Sequence, residues 1–481
     1  MGSASITGKR WFALALVVLA QFMVVLDIAI VNVALPTIKT DLRFSEENLQ
    51  WVISAYAILF GGFLLLGGRL ADVFGRRRLF ILGLLLFAGS SLLCGLAWSE
   101  ESLIAFRALQ GLGGALLAPA ALSILSTTFR EGRERNLALG IWGAASGSGG
   151  AAGVLLGGVL TSYLGWSWIF FINVPVGLAV VALSPAFLAE SRSELPHRHF
   201  DFAGAASVTA GLMLLVYALT GATRHGWASA STIGLLAVSA ALLGTFVGIE
   251  LRSTAPLLPL RIFRLRSVSA ANTIGLAVAA VGFSQFFLLT LYMQQVLHYS
   301  AVQTGVAFAA ITLTVVVFSN VAQALVTRLG VRTVLTSGLL VTTAAQVWLL
   351  RLPSDGHYFW DMFPAFLLTG IGLASSFIPV AIAGLSGVPA ADAGVASGLI
   401  NASRQIGGAI GLAAVSTIAA TYTAGSVGGE ELTNGIDTAF TVLAGVALGG
   451  ALVAAAFTPR RPAAVEAQPV TETLEPLEEA A

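Results

Sequence analysis

Leu26-Asp27-Ile28-Ala29-Ile30-Val31-Asn32-Val33-Ala34-Leu35-Pro36 places one carboxylate, Asp27, inside an apolar run that begins at Trp11 and ends at about Ile38. About 20 apolar residues, at ~1.5 Å each, cross the hydrocarbon of a bilayer. The run is therefore long enough to span one. A carboxylate at that depth is costly, and its default reading is functional. Lys9 and Arg10 resemble the basic start of a secretory signal. The apolar run is too long for one, however, and no small-residue cleavage site precedes Asp27. It reads as a retained first span.

The rest of the chain fits that start. Of 481 residues, 57% are hydrophobic and 10% charged, with a mean hydropathy of +0.88. A soluble chain carries about 25% charged residues, so this is a polytopic membrane protein. With 25 basic and 24 acidic residues, no nucleic-acid partner is indicated. The single cysteine, Cys94, excludes an intrachain disulfide framework and reads as a small core residue.

Apolar runs of spanning length fall at about 12–37, 49–68, 79–98, 102–127, 136–161, 165–188, 202–221, 230–250, 268–296, 302–325, 332–351, 360–384, 393–421 and 437–457, fourteen in all. They do not alternate every second residue, which excludes a barrel. With the N-terminus inside, nineteen of the arginines and lysines fall on cytoplasmic segments, four outside, and two, Arg107 and Arg404, within spans. That bias supports an even count with both termini in the cytoplasm.

The chain also repeats. Gly75, Arg77, Gly83, Leu84 and Leu85 recur 255 residues later as Gly330, Arg332, Gly338, Leu339 and Leu340. Each copy joins the second and third spans of a six-span block, as in transporters built from parallel repeats. The expected organisation is an N-terminal six-helix half (1–188), a linker with two inserted spans (189–267), a C-terminal six-helix half (268–458) and a disordered acidic tail (459–481).

The loop Gly68-Arg69-Leu70-Ala71-Asp72-Val73-Phe74-Gly75-Arg76-Arg77-Arg78 has glycines for a tight turn and arginines that hold it on the inner face. Asp72 is suited to pair with an arginine or with the positive end of a facing helix. The loop resembles the signature of the major facilitator superfamily, and the Leu26–Pro36 run with fourteen spans resembles its drug:proton antiporter branch. The resemblance implies an all-α fold of two six-helix halves and a latch at Gly68, Asp72, Gly75, Arg76 and Arg77. In the second copy Thr327 stands where Asp72 does in the first, so a second latch is expected to be degenerate.

Arg107, in Phe106-Arg107-Ala108-Leu109-Gln110-Gly111, needs an acceptor inside its span. Asp27 lies nine residues before Pro36, ~14 Å from the outer end, and Arg107 five residues after Ser102, ~8 Å from it. The two sit within about one turn in depth, and Asp27 is the natural partner, directly or through water. A proton-coupling pair is favoured over a purely structural one because intramembrane carboxylates usually mark ion pathways. The family pattern likewise has an arginine here, associated with proton transfer.

Gly149, Gly153 and Gly157 have the four-residue spacing that lets helices approach closely, with Gly158 beside them. The run resembles the family's antiporter signature, except that Val154 replaces a proline, so a kink is not implied. Trp166 to Pro175 and Asn401 to Gly408 also resemble the branch, and Arg404 reads as a structural or snorkelling residue as readily as a transport residue. Asn32, Tyr56, Phe283, Gln285, Phe286, Tyr292, Gln294 and Asn320 are candidates to line a central cavity, with interhelical hydrogen bonding the competing role. His197 and His199 lack companions for a metal site.

No catalytic constellation or phosphate-cradling loop appears, so neither an enzyme nor direct ATP coupling is expected. The sequence reads as a proton-driven exporter of lipophilic small molecules in the bacterial cytoplasmic membrane. It is expected to act as a monomer among lipids, without a cofactor. A dedicated metabolite exporter, a proton symporter of the same fold, and a non-transporting membrane sensor are the alternatives.

Overall fold

The computed structural model describes the chain except residues 1, 45, 50, 131, 193–200, 254–255, 390–391, 424–428 and 459–481. The tail and the His197/His199 pair thus lie outside the described residues. Fourteen helices of fifteen residues or more make up the described chain. They are α1 (Gly2–Asp41), α2 (Trp51–Phe74), α3 (Arg76–Gly95), α4 (Glu100–Thr128), α5 (Arg133–Tyr163), α6 (Asn173–Phe187), α7 (Phe202–His225), α8 (Ala230–Glu250), α9 (Arg266–Leu291), α10 (Ala301–Leu329), α11 (Val331–Trp348), α12 (Phe363–Leu385), α13 (Ala393–Thr423) and α14 (Gly429–Phe457). A helix satisfies its own backbone, which lipid cannot do. Its ends need partners, and here the sequence supplies them. Ser99 and Ser300 close capping boxes at the starts of α4 and α10, and the Asp201 and Ser229 side chains cap α7 and α8.

Twelve of these helices are long and apolar enough to cross a membrane, and a thirteenth is α5 if its two arms form one span. Among the described residues the count of spanning helices is thus twelve or thirteen, beside the fourteen expected from the apolar runs. The remaining helix, α13, packs against α2, α4, α7, α9 and α14.

The packing pattern repeats along with the sequence. Within α1–α6 the partnered pairs include α1 with α4, α5 and α6, α2 with α4, and α3 with α4 and α6. Within α9–α14 the same pairs recur eight places on: α9 with α12, α13 and α14, α10 with α12, and α11 with α12 and α14. The repeated loop has the same backbone in both copies, with Gly75 at φ 109° and Gly330 at φ 86°, a region that favours glycine.

The two sets meet along two seams, α2 against α13 and α5 against α10. The inserted helix α7 lies over the first seam. Its Met213 and Thr209 face Gly62, its Val216 faces Gly61, Tyr217 stacks on Trp51 of α2, and Trp227 just beyond it donates to Thr417 of α13 at 2.6 Å. Its partner α8 is peripheral, with 17% of its most apolar window buried. The segment Leu257–Leu265 turns inward, burying Leu257, Leu258 and Ile262, and its backbone is pinned where Leu257 and Leu258 donate to the Glu250 carboxylate.

Candidate functional site

α1 carries Asp27 into the interior, and α5 determines how closely the neighbouring helices surround it. A Cβ on Gly149, Gly153 or Gly157 would press on Phe22, Leu26 and Ile30 carbonyl oxygens of α1, at 3.0, 2.8 and 3.0 Å respectively. The glycine stripe is thus the groove in which α1 lies, on either side of Asp27, while Gly158 is half-buried beside it. Although no proline stands there, the α5 axis bends by 42° between Arg133–Gly150 and Leu155–Tyr163. Glycine pairs permit such bends.

At the bottom of this groove Asp27 is 0% exposed and Arg107, from α4, is 1% exposed. They touch directly: Arg107 Nη1 donates to Asp27 Oδ2 at 2.7 Å. Two amides that the sequence did not single out complete the cluster. Gln110 Nε2 and Asn173 Nδ2 both donate to Asp27 Oδ1, at 2.8 and 3.0 Å. Arg107 in turn donates to Gln110 Oε1 and to the Val52 carbonyl, and its guanidinium lies 4.4 Å from the Tyr56 ring centre. Asn173 also donates to Ser91 of α3, whose hydroxyl donates to the Phe170 carbonyl. Cys94 is buried beside Gln110.

The chemistry of the cluster follows from this count. Oδ1 already accepts two hydrogen bonds, so the position open to a proton is Oδ2, where the arginine sits. Protonation at Oδ2 would remove the negative charge with which Arg107 is paired. In dry surroundings, separating the pair without protonation leaves two uncompensated charges. Asp27 is therefore held by Arg107 on Oδ2 and by two amides on Oδ1.

A second cluster lies at the arginine-rich end of the bundle. Asp72, fully buried, accepts from Gly394 N at 3.0 Å and Val395 N at 3.1 Å, the first turn of α13. Arg76 donates to the same carboxylate at 2.8 Å. The helix end supplies unpaired N–H groups and positive potential, which suits an anion. Contact is close because a Cβ on Gly68 would overlap the Gly394 carbonyl. Arg77 stands apart from this cluster, donating to the Leu188 carbonyl and pairing with Glu190 within the first helix set. In the second copy, Thr327 bonds only within α10 among the described residues.

The expected cavity residues scatter. Tyr56 belongs to the Arg107 cluster. Gln285 and Tyr292 are both enclosed, in the interhelical role that competed with cavity lining. Gln285 donates to Thr369 and accepts from Gln346, whereas Tyr292 donates to the Pro353 carbonyl. They join α9 to α11 and α12 and to the turn before α12, which is the interhelical role of buried polar groups. Asn32, Phe283, Phe286, Gln294 and Asn320 are exposed on helix surfaces, and Asn32 bonds its own helix at Ile28. Phe283 reaches α13, where a Cβ on Gly408 would strike its ring.

Comparison with known proteins agrees with the geometry. The family model of the Major Facilitator Superfamily matches residues 17–412. The chain is 39% identical over 420 residues to the puromycin resistance protein pur8 of Streptomyces alboniger, covering 86% of this chain and 83% of that one. It is 41% identical over 428 residues to the cephamycin export protein CmcT of Amycolatopsis lactamdurans, covering 88% of each. Among solved structures, the proton:xylose symporter XylE aligns with a TM-score of 0.67 at 14% identity, over 94% of this chain and 96% of that one. The match is one of fold. The helices, their repeated packing and the family model together make this chain a member of the Major Facilitator Superfamily, a multi-span membrane transporter rather than an enzyme.

Proposed function

We propose that the protein exports lipophilic small molecules from the cytoplasm in exchange for protons. The observation that carries this reading is the buried Asp27–Arg107 pair, in which Arg107 occupies the carboxylate oxygen that the two amides leave free. In one arrangement of the two helix sets the pair is joined and sealed. When α1 and α4 shift against each other within the first set as the sets rock, Arg107 stays on the Val52 carbonyl and the Tyr56 ring that it already touches, releases Asp27, and Asp27 takes a proton. Gln110 and Asn173 hold the carboxyl in place through both states, because an amide can donate or accept. Relatives named for cephamycin export and puromycin resistance support a small-molecule substrate moving outward.

Proteoliposomes test the coupling. Substrate should accumulate against its gradient when the pH gradient is imposed in the antiport direction, and reversal of that gradient should reverse the flux. Asp27→Asn should abolish the dependence on pH while leaving passive binding intact. Accumulation that follows the proton flow would make the protein a symporter, and wild-type coupling in Asp27→Asn would remove Asp27 from the mechanism.

A further inference from the structure

We propose that Arg404 is the anion-binding group of the substrate site, and that it receives the single negative charge of a lipophilic monoanion, a carboxylate or sulfonate on an apolar body. This rests on the export reading above. Arg404 lies eleven residues into α13, about 16 Å from its start at 1.5 Å per residue. That places it near mid-depth of the bundle. Nη2 donates to the Phe377 carbonyl of α12 at 3.0 Å, and the guanidinium lies over the Phe377 ring at 4.7 Å.

What it lacks is a counter-ion. Among the described residues no carboxylate comes within 4 Å of it, whereas Arg107, the other arginine read within a span, has Asp27. A cation in low-dielectric surroundings is costly without an anion. Arg404 is also half-buried rather than sealed. Arg107, by contrast, is 1% exposed.

The surroundings are shaped for it. Gly275 on α9 faces the arginine stem at ordinary contact distance. Next to it Ser403 donates to Asn272 of α9, which fixes α13 against α9 on one side of the guanidinium. The Phe377 ring supplies an apolar face beside the charge, the combination an aromatic anion needs. A guanidinium presents a planar fork that matches a carboxylate or sulfonate and gains from charge on both partners.

The test uses two fluorophores of one scaffold, 8-anilinonaphthalene-1-sulfonate and the uncharged N-phenyl-1-naphthylamine, titrated against the full chain in nanodiscs with empty nanodiscs subtracted. The expected result is tighter binding of the sulfonate by wild type. In Arg404→Gln the sulfonate should bind at least about tenfold more weakly, the value of one charge-assisted hydrogen bond. The neutral probe should change by less than about twofold, and Arg404→Lys should recover part of the sulfonate affinity by supplying a point charge. Equal loss of both probes in Arg404→Gln would make Arg404 a brace for α12 and overturn the proposal, as would unchanged sulfonate affinity. Asp27→Asn should lose proton-driven uptake while still binding the sulfonate more tightly than the neutral probe. Uptake in that variant that still follows the pH gradient would count against the coupling reading alone.

Discussion

Replacing Asp72 with Asn should tip the balance between the two arrangements of the transporter. Only contacts present in one arrangement count, because a ligand or side chain shifts an equilibrium by its differential interaction with the two states. The Arg76 bond lies within the first helix set and survives rocking. The bonds from Gly394 and Val395 cross between the sets and do not survive it. A hydrogen bond to a charged acceptor contributes about 1.5–3 kcal/mol and a neutral one about 1. Asn retains one acceptor oxygen and turns an NH2 toward either a backbone N–H or Arg76. The net loss across the seam is about 2 kcal/mol, or roughly a thirtyfold shift at 1.4 kcal/mol per factor of ten. Spin labels at Phe74 and Leu329, both exposed and at the arginine-rich end of their helices, would report it as a distance distribution moving to longer values. Cys94 is buried and should not label. An unchanged distribution in Asp72→Asn, with the protein folded, would show that these two bonds do not bias the equilibrium.

Asp27→Asn should also cost stability, about 3–5 kcal/mol, because Arg107 remains buried without its anion. The double variant Asp27→Asn/Arg107→Gln should recover much of that in thermal unfolding; failure to recover would mean the pair is not the source of the loss. Gly153→Leu should drive α5 off α1, since even a Cβ meets Ala29 Cβ and the Leu26 carbonyl at 2.8 Å, with a loss of about 1–3 kcal/mol and disturbed transport. Gln285→Leu should cost about 1–3 kcal/mol by stranding Gln346 and Thr369, and should leave substrate selectivity unchanged; altered selectivity would return Gln285 to the cavity.

Some of the site was legible because it depends on one helix at a time. The depth of Asp27 and Arg107 follows from helix rise, and their meeting needs only that both face inward. The glycine spacing of α5 announced a close approach, but not that α1 and Asp27 would lie in the groove. Gln110 and Asn173 carried a signal, each being a polar side chain within or at the start of a span near the right depth. Their convergence depends on the rotation of α4 and α6 about their own axes, which one sequence does not state. The same gap left two roles open for Gln285 and Tyr292: a polar residue in a span can face a cavity or a neighbouring helix, and hydropathy is identical in both cases. The partner of Asp72 is the start of a helix 322 residues away, recognised by backbone N–H groups that leave no mark on residue identity. Arg77 shares the basic loop yet turns to Glu190, a choice made by the short span of chain between α6 and the linker.

The placement of α7 has a consequence for how cargo arrives. A hydrophobic molecule dissolved in the leaflet can enter such a transporter sideways, through a gap between flanking helices. The α2–α13 gap is walled off by Met213, Val216 and Tyr217, with Trp227 bolted to Thr417 at one end. Side entry is then left to the α5–α10 gap, so photo-crosslinking from a lipophilic probe should favour α5–α10 over α2–α13. The extra hairpin thus makes two otherwise equivalent seams unequal.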